Sequence, residues 1–328
     1  MNHSFYNIDI FNSSASFEKR ALAIFQFQYE NCEVYHQYVD ALKTDVSKVD
    51  SIEKIPFLPI RFFKTHQVIT KNKLPQIIFK SSGTTGVQQS QHLISDTSIY
   101  LQSMQQCFNA AFGNINEYCF VALLPSYLER SNSSLVYMVE QMMQISKHSC
   151  NGFYLYNHDD LYEKLMALEA QKQPTILIGV TYALLDFADK FKPKLKHTIV
   201  LETGGMKGRR VEWLKHEVHD FLKQSFQLNT IASEYGMTEL LSQFYAKQDG
   251  IFEMQNTAQV FIRDMYDPFQ ISNAINTSGC INVVDLANIN SCSFIATDDI
   301  GKIKTYNSFE IIGRADYSDV RGCNLMIS

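Results

Sequence analysis

The chain has 328 residues, enough for one large core or for a large domain with small appendages. Its 45% hydrophobic and 19% charged residues are an ordinary globular balance, and a net charge of −5 without a long Lys/Arg block argues against nucleic acid as a partner. Seven scattered Cys, odd in number and with no CxxC pair, fit a reducing compartment better than a disulfide scaffold or a zinc site. No basic segment followed by an apolar run opens the chain, and no stretch approaches the apolar length of a membrane span. The expectation is a soluble, cytoplasmic protein with no integral membrane association.

The apolar residues Phe17, Ala21, Phe25, Tyr29, Cys32, Val39 and Leu42 recur at three- and four-residue steps, which predicts one long amphipathic helix over 17–43. Residues 55–60 must be extended, because each Pro disfavours helix in the residue before it. The apolar stretch 76–79 then runs into Lys80-Ser81-Ser82-Gly83-Thr84-Thr85-Gly86. A helix is expected over 97–112. Helices over 159–173, 182–191 and 211–224 alternate with strands over 175–180, 198–201 and 226–232, the pattern of a parallel sheet with right-handed crossovers. From about residue 244 short alternating segments (258–265, 280–286, 302–312) predict a mostly antiparallel unit. The expected organisation is an α/β body over 1–243 with an N-terminal helix, and a β-rich portion over 244–328. In open α/β sheets ligands sit beyond the carboxyl ends of parallel strands, and the motifs below are expected at such ends.

Glycines let a loop bend tightly and let backbone N–H groups approach an anion, and hydroxyls add donors. The run Ser81, Ser82, Gly83, Thr84, Thr85 and Gly86 is therefore a candidate polyphosphate loop, although a plain turn has the same composition. It is not the common P-loop, because no Gly-Lys-Ser/Thr follows. Gly204 and Gly205, past the strand at 198–201, permit close approach of a flat ring such as adenine. In Tyr235-Gly236-Met237-Thr238-Glu239 the Tyr can stack on a base, Thr238 can bond a phosphate, and Glu239 can hold Mg²⁺ through a hard oxygen ligand. Asp299 can accept both ribose hydroxyls, and Arg314 can donate to ribose or phosphate. His216-Glu217-Val218-His219 is one residue short of HExxH and reads as a solvated helix face.

The order of these motifs resembles that of the adenylate-forming enzymes: acyl-CoA synthetases, luciferases and peptide-synthetase adenylation domains. More narrowly, Ile55-Pro56-Phe57-Leu58-Pro59, Phe63-Lys64, residues 81–86, Gly204-Gly205-x-Lys207 and Arg321-Gly322-Cys323-Asn324 resemble the LuxE-type acyl-protein synthetase family over nearly the whole chain. The resemblance implies the large-domain α/β fold of adenylate-forming enzymes, with parallel and mixed sheets flanked by helices and a β-rich C-terminal portion. It also implies ATP and Mg²⁺ as cofactors, a fatty acid as substrate, and Cys323 as acyl acceptor. A reductase, a transferase or an acyl carrier protein would be the next recipient. Arg321 beside Cys323 would lower the thiol pKa.

Two features depart from the larger ligases. Gln88-Gln89-Ser90 stands where they carry Lys-Gly, and the chain stops at Ser328, so their mobile C-terminal domain with its catalytic Lys is expected to be absent. Another cation must then serve; Lys207 comes first because it follows the Gly pair, with Arg209, Arg210, Arg130 and Lys302 as alternatives. Tyr127 and Arg130, in the segment after the apolar run 120–124, are candidates for contact with the substrate carboxylate. The expected function is ATP-dependent acyl-AMP formation and transfer to Cys323. The alternatives are a ligase that delivers the acyl group to coenzyme A or acyl carrier protein, and a non-catalytic nucleotide- or acyl-binding subunit.

Overall fold

A computed structural model describes residues 9–11, 14–81, 88–124, 132–204 and 213–315. The N-terminal periodicity forms two helices rather than one, α1 (Phe17–Asn31) and α2 (Glu33–Ala41). Ser16 starts α1 by accepting from the Lys19 N–H. The break falls at Cys32, which is extended (φ −106°, ψ 104°). The turn of direction buries Tyr35, whose hydroxyl donates to the Pro56 carbonyl at 2.7 Å. The proline-flanked segment is extended as expected. Its Leu58–Pro59 (β1) pairs in parallel with a later strand, and a short helix α3 (Phe62–Thr65) follows.

Ile77–Lys80 (β2) and Gln91–Ile94 (β3) pair antiparallel as a separate two-stranded sheet. The Ser/Thr/Gly run follows β2, so it leaves one arm of a β-hairpin outside the main sheet. The helix expected over 97–112 is α4 (Thr97–Phe112), capped by Asp96. Next come β4 (Cys119–Leu123), α5 (Ser134–Ser146), β5 (Gly152–Tyr154), α6 (His158–Ala170), β6 (Thr175–Val180), α7 (Thr181–Lys190), β7 (Thr198–Thr203), α8 (Lys215–Phe226) and β8 (Ala232–Tyr235). Strands β4 to β8 are parallel, side by side in the order β5-β4-β6-β7-β8. Every residue of β4 and β6 is buried, as helices on both faces require. The strand expected over 226–232 starts later. Phe226 belongs to the buried face of α8, Gln227 ends the helix in a left-handed turn, and pairing begins only at Ala232.

The rest is antiparallel, as expected: β9 (Phe244–Ala246), β10 (Ile251–Glu253), β11 (Ala258–Arg263), β12 (Ile271–Ser272), β13 (Ser278–Asp285), β14 (Phe294–Thr305) and β15 (Ser308–Arg314). The segment expected over 302–312 is a hairpin, not one strand. It turns at exposed Tyr306 and is closed by a 2.7 Å contact between the Thr305 and Ser308 hydroxyls. These strands continue the parallel ones in one sheet, β12-β11-β13-β14-β15-β10-β9-β8-β7-β6-β4-β5, with β1 on the free stretch of β14. Two apolar cores result. One lies between β4, β6 and β7 and helices α4 to α8. The other joins α1, α2 and β1 to β11, β13 and β14, so the start of the chain is packed on its last strands.

Candidate active site

The carboxyl ends of β7 and β8 lie side by side, with Thr203 opposite Glu234. Gly204 leaves β7 with φ +75°, a conformation that glycine adopts without strain. Its carbonyl accepts from the Thr181 hydroxyl at 2.7 Å, which fixes the direction of the turn. Gly205 and Lys207 lie outside the described residues.

Beneath this turn is a buried polar cluster. The Glu202 carboxylate accepts from Thr181 and Ser233, and lies 3.6 Å from the Lys215 ammonium. Burial alone would raise its pKa; the Lys215 charge, then His219 and the Thr181 hydroxyl, outweigh burial and hold it below the usual carboxylate value. Glu234, one residue before Tyr235, behaves oppositely. Burial, with the Glu202 charge adding to it, pushes its carboxyl up to about 7 against the Thr203 hydrogen bond and Lys215. A Cβ at Gly236 would run into the Glu234 Oε1, so the glycine makes room for this carboxyl.

Tyr235 does not stand alone as a stacking platform. Its ring packs with Phe244, Phe252 and Phe309, and its hydroxyl donates to Asp299 Oδ2 at 2.8 Å. Asp299 faces Arg314 across the β14–β15 pair, with Arg314 Nε 3.8 Å from its Oδ1. Burial raises the Asp299 pKa, while the Tyr235 bond and Arg314 oppose it. Tyr235, Asp299 and Arg314 therefore meet in one place. The motifs that carry Asp299 and Arg314 are not at the carboxyl ends of parallel strands, as expected from sequence. They lie within antiparallel β14 and β15, which β10 and β9 connect laterally to β8.

Past β8, the Thr238 carbonyl accepts from His92 Nδ1 at 2.8 Å. Glu239 is 5% exposed, and its carboxyl is hydrogen-bonded to the Ser90 hydroxyl. Burial raises its pKa; Ser90 and the charges of Arg314 and Lys64 pull the other way. Ser90 in turn donates its N–H to Ser81 Oγ at 2.9 Å and accepts the Ser81 N–H at 3.1 Å. The neck of the candidate phosphate hairpin is thus tied to Thr238 and Glu239. Ser82, Gly83, Thr84, Thr85 and Gly86 lie outside the described residues, as do Tyr127, Arg130, Arg209, Arg210, Arg321 and Cys323. Lys302, the remaining alternative cation, lies on β14 three residues past Asp299.

No group of three or more His, Cys, Asp or Glu side chains that could hold a metal occurs among the described residues. One carboxylate beside hydroxyls suits Mg²⁺, which takes one or two carboxylates and fills its remaining positions with substrate phosphates and water. Glu239 fits that donor set as a single oxygen ligand.

Sequence reasoning passed over two groups and misjudged a third. Glu234 was visible, but its burial was not. His92 is fully buried and held neutral, its pKa brought to about 4 by burial; nothing in Gln91-His92-Leu93-Ile94 signals this. His219 corrects an expectation: His216 and Glu217 are exposed, but His219 is buried and lies 3.2 Å from the Ser233 hydroxyl. The four-residue step from Lys215 to His219, one helix face, was the available signal.

A search of curated proteins gave no significant sequence match. Among solved structures the fold is similar to that of 2-hydroxyisobutyryl-CoA ligase with 2-HIB-AMP and CoA in the thioesterification state. That likeness has 13% identity and a TM-score of 0.69 over 92% of this chain and 68% of that one. It is also similar to a long-chain-fatty-acid-CoA ligase from Archaeoglobus fulgidus (13%, TM-score 0.52, 73% of this chain and 51% of that one). A third likeness is to O-succinylbenzoate coenzyme A synthetase from Bacillus subtilis with ATP and magnesium (14%, TM-score 0.50, 72% and 49%). At these identities the likeness is one of fold, that of the adenylate-forming ligases. The chain spans about half the length of the last two. The family model for the acyl-protein synthetase LuxE matches residues 8–328, and the chain belongs to that family.

Proposed function

We propose that the protein activates a fatty acid with ATP and carries the acyl group on Cys323 before passing it to a partner. The observation that carries this reading is the meeting of Tyr235, Asp299 and Arg314, with the Arg314 charge acting on Glu239, which is itself tied through Ser90 to the neck of the Ser81 hairpin. Family membership supports it independently. The substrate carboxylate attacks the α-phosphorus of ATP, the bond to the β-phosphate oxygen breaks, and pyrophosphate leaves. The Cys323 thiolate then attacks the acyl carbon of the mixed anhydride, and AMP leaves with the electron pair.

In this reading Asp299 Oδ1 accepts from the ribose hydroxyls while Tyr235 holds Oδ2, and Arg314 donates to ribose or phosphate. The glycines Gly204 and Gly205 let the nucleotide approach the backbone, and Gly236 gives the Glu234 carboxyl its room. Thr238 and the hydroxyls of Ser81, Ser82, Thr84 and Thr85 donate to phosphate oxygens, and Lys207 is the cation for the developing charge. Mg²⁺ on Glu239 would neutralise phosphate charge when bound. The recipient protein is a reductase or another acyl acceptor, and the setting is the cytoplasm.

The test is a gel assay with labelled fatty acid, ATP and Mg²⁺, without coenzyme A. Hydroxylamine-labile label on the wild type and none on Cys323→Ala is the expected result. Pyrophosphate release without label on either would make the acceptor an external thiol. Neither label nor pyrophosphate, over several acids, would leave a non-catalytic binding subunit.

A further inference from the structure

Side chains alternate across a strand, so consecutive residues of β14 serve opposite faces. Asp299 faces Tyr235. Ala296 and Asp298 face the other way, into a cavity of about 860 Å³. Its floor is a strip of neighbouring strands: Arg263 of β11, Cys280 of β13, Ala296 and Asp298 of β14, and Pro59 and Arg61 in and after β1. Its walls are largely apolar. Tyr38 and Leu42 come from the end of α2, Phe57 from the proline-flanked segment, and Met265 and Phe269 from the loop after β11. Met265 and Phe269 are 60% and 67% exposed, so apolar surface at the cavity is open to a ligand. The volume is that of a pocket for a drug-sized ligand.

The charges at the cavity are unequally matched. Lys54 is paired with Asp50 at 2.7 Å and Arg61 with Asp298 at 3.5 Å, and Glu53 and Asp264 add two further carboxylates to the lining. The Asp264 carboxylate accepts the N–H groups of Tyr266 and Asp267. Arg263 differs. Its guanidinium donates to Asn282 Oδ1 at 2.7 Å and to the Thr297 carbonyl at 3.0 Å, both neutral oxygens. A half-buried guanidinium with neutral acceptors in an apolar cleft favours an added oxyanion, and its planar fork suits a carboxylate.

We propose that this cavity is a second ligand site, for a long-chain carboxylate whose head rests on Arg263 and whose apolar body lies against Tyr38, Phe57 and Phe269. It backs onto the nucleotide side of the fold, with β14 as the shared wall. The site does not depend on the proposed reaction, because its occupancy is read without ATP.

The test is fluorescence titration of the full chain with a polyene fatty acid, and with the corresponding alcohol, in the absence of ATP. Ala296→Trp, which fills the cavity from its floor, is expected to bind one equivalent fewer than the wild type at an unchanged fold by circular dichroism. Arg263→Gln is expected to weaken that equivalent at least tenfold for the acid and less than twofold for the alcohol. Phe269→Asp, at an exposed position that does not carry the fold, is expected to weaken acid and alcohol alike at least fivefold. Equal stoichiometry and affinity in the wild type, Ala296→Trp and Phe269→Asp would overturn the site. Loss of the equivalent together with ATP-dependent pyrophosphate release would overturn its separateness and make the cavity the acid pocket of the reaction itself. Failure of self-acylation with the extra equivalent intact would instead count against the proposed function alone.

Discussion

Glu234 is a carboxyl that prefers its proton in the folded state, because burial, with Glu202 adding to it, raises its pKa to about 7. An unfolded Glu titrates near 4.3. The stabilisation from holding the proton is therefore complete below that value and is lost as pH rises to about 7. Glu234→Gln keeps a neutral group there at every pH. Its stability, from urea unfolding, is expected to vary less with pH than that of the wild type between pH 5 and 7, and to exceed it by about 1–3 kcal/mol at pH 8. Parallel wild-type and mutant profiles would sink this account. Glu202, held below its usual value by Lys215 and His219 in spite of burial, works in the opposite sense and loses its contribution as pH falls. Tyr235→Phe removes the hydroxyl from Asp299 but keeps the ring among Phe244, Phe252 and Phe309. The expected result is a loss of about 1–3 kcal/mol in chemical denaturation, from a hydrogen bond to a partly buried carboxylate, together with weaker ATP binding by calorimetry because Asp299 is no longer held.

At the scale of the element, periodicity was enough wherever one apolar face met one core. That is why α4 matches its expected bounds residue for residue; β6, buried on both faces, was legible instead as a short continuous apolar run. It failed where a tertiary contact redirected the chain. The break at Cys32 goes with Tyr35 reaching Pro56, and the delay of β8 to Ala232 goes with Phe226 staying in α8 against Phe187 of α7; neither Pro56 nor Phe187 is local in sequence. In the site, residue types and order pointed to Tyr235, Asp299 and Arg314. Their common location needed β9, β10 and β15 to carry a parallel sheet into an antiparallel one. Helix α1 supplies a further case. The fully buried Gln28 donates to the carbonyls of Asn288 and Ile289 and accepts the Ser293 N–H. Gln28→Ala strands all three groups and is expected to cost about 2–4 kcal/mol in chemical denaturation, far more than a surface Gln.

The whole molecule has two cores of different ancestry in the sequence. The α/β core is built from residues 79–287, whereas the second draws Ile24, Phe25, Tyr35 and Leu58 together with Val283, Phe294 and Phe309. A fragment that begins at residue 61 lacks α1, α2 and β1. It is expected to expose the apolar face of β13 and β14, to bind the dye ANS, and to lose the cooperative unfolding of the full chain. A sharp two-state transition in that fragment would show that the second core does not need its N-terminal half.

Arg20 reaching Asn256 and Gln28 reaching Ser293 have a meaning for the order in which the protein is born. On the ribosome the first sixty residues emerge with an apolar face whose partner strands do not yet exist. At about 5–20 residues per second, the wait until Phe309 has been made is roughly ten to fifty seconds. Through that interval the apolar faces of α1 and α2 lack their partner strands, so the segment synthesised first is among the last to be packed.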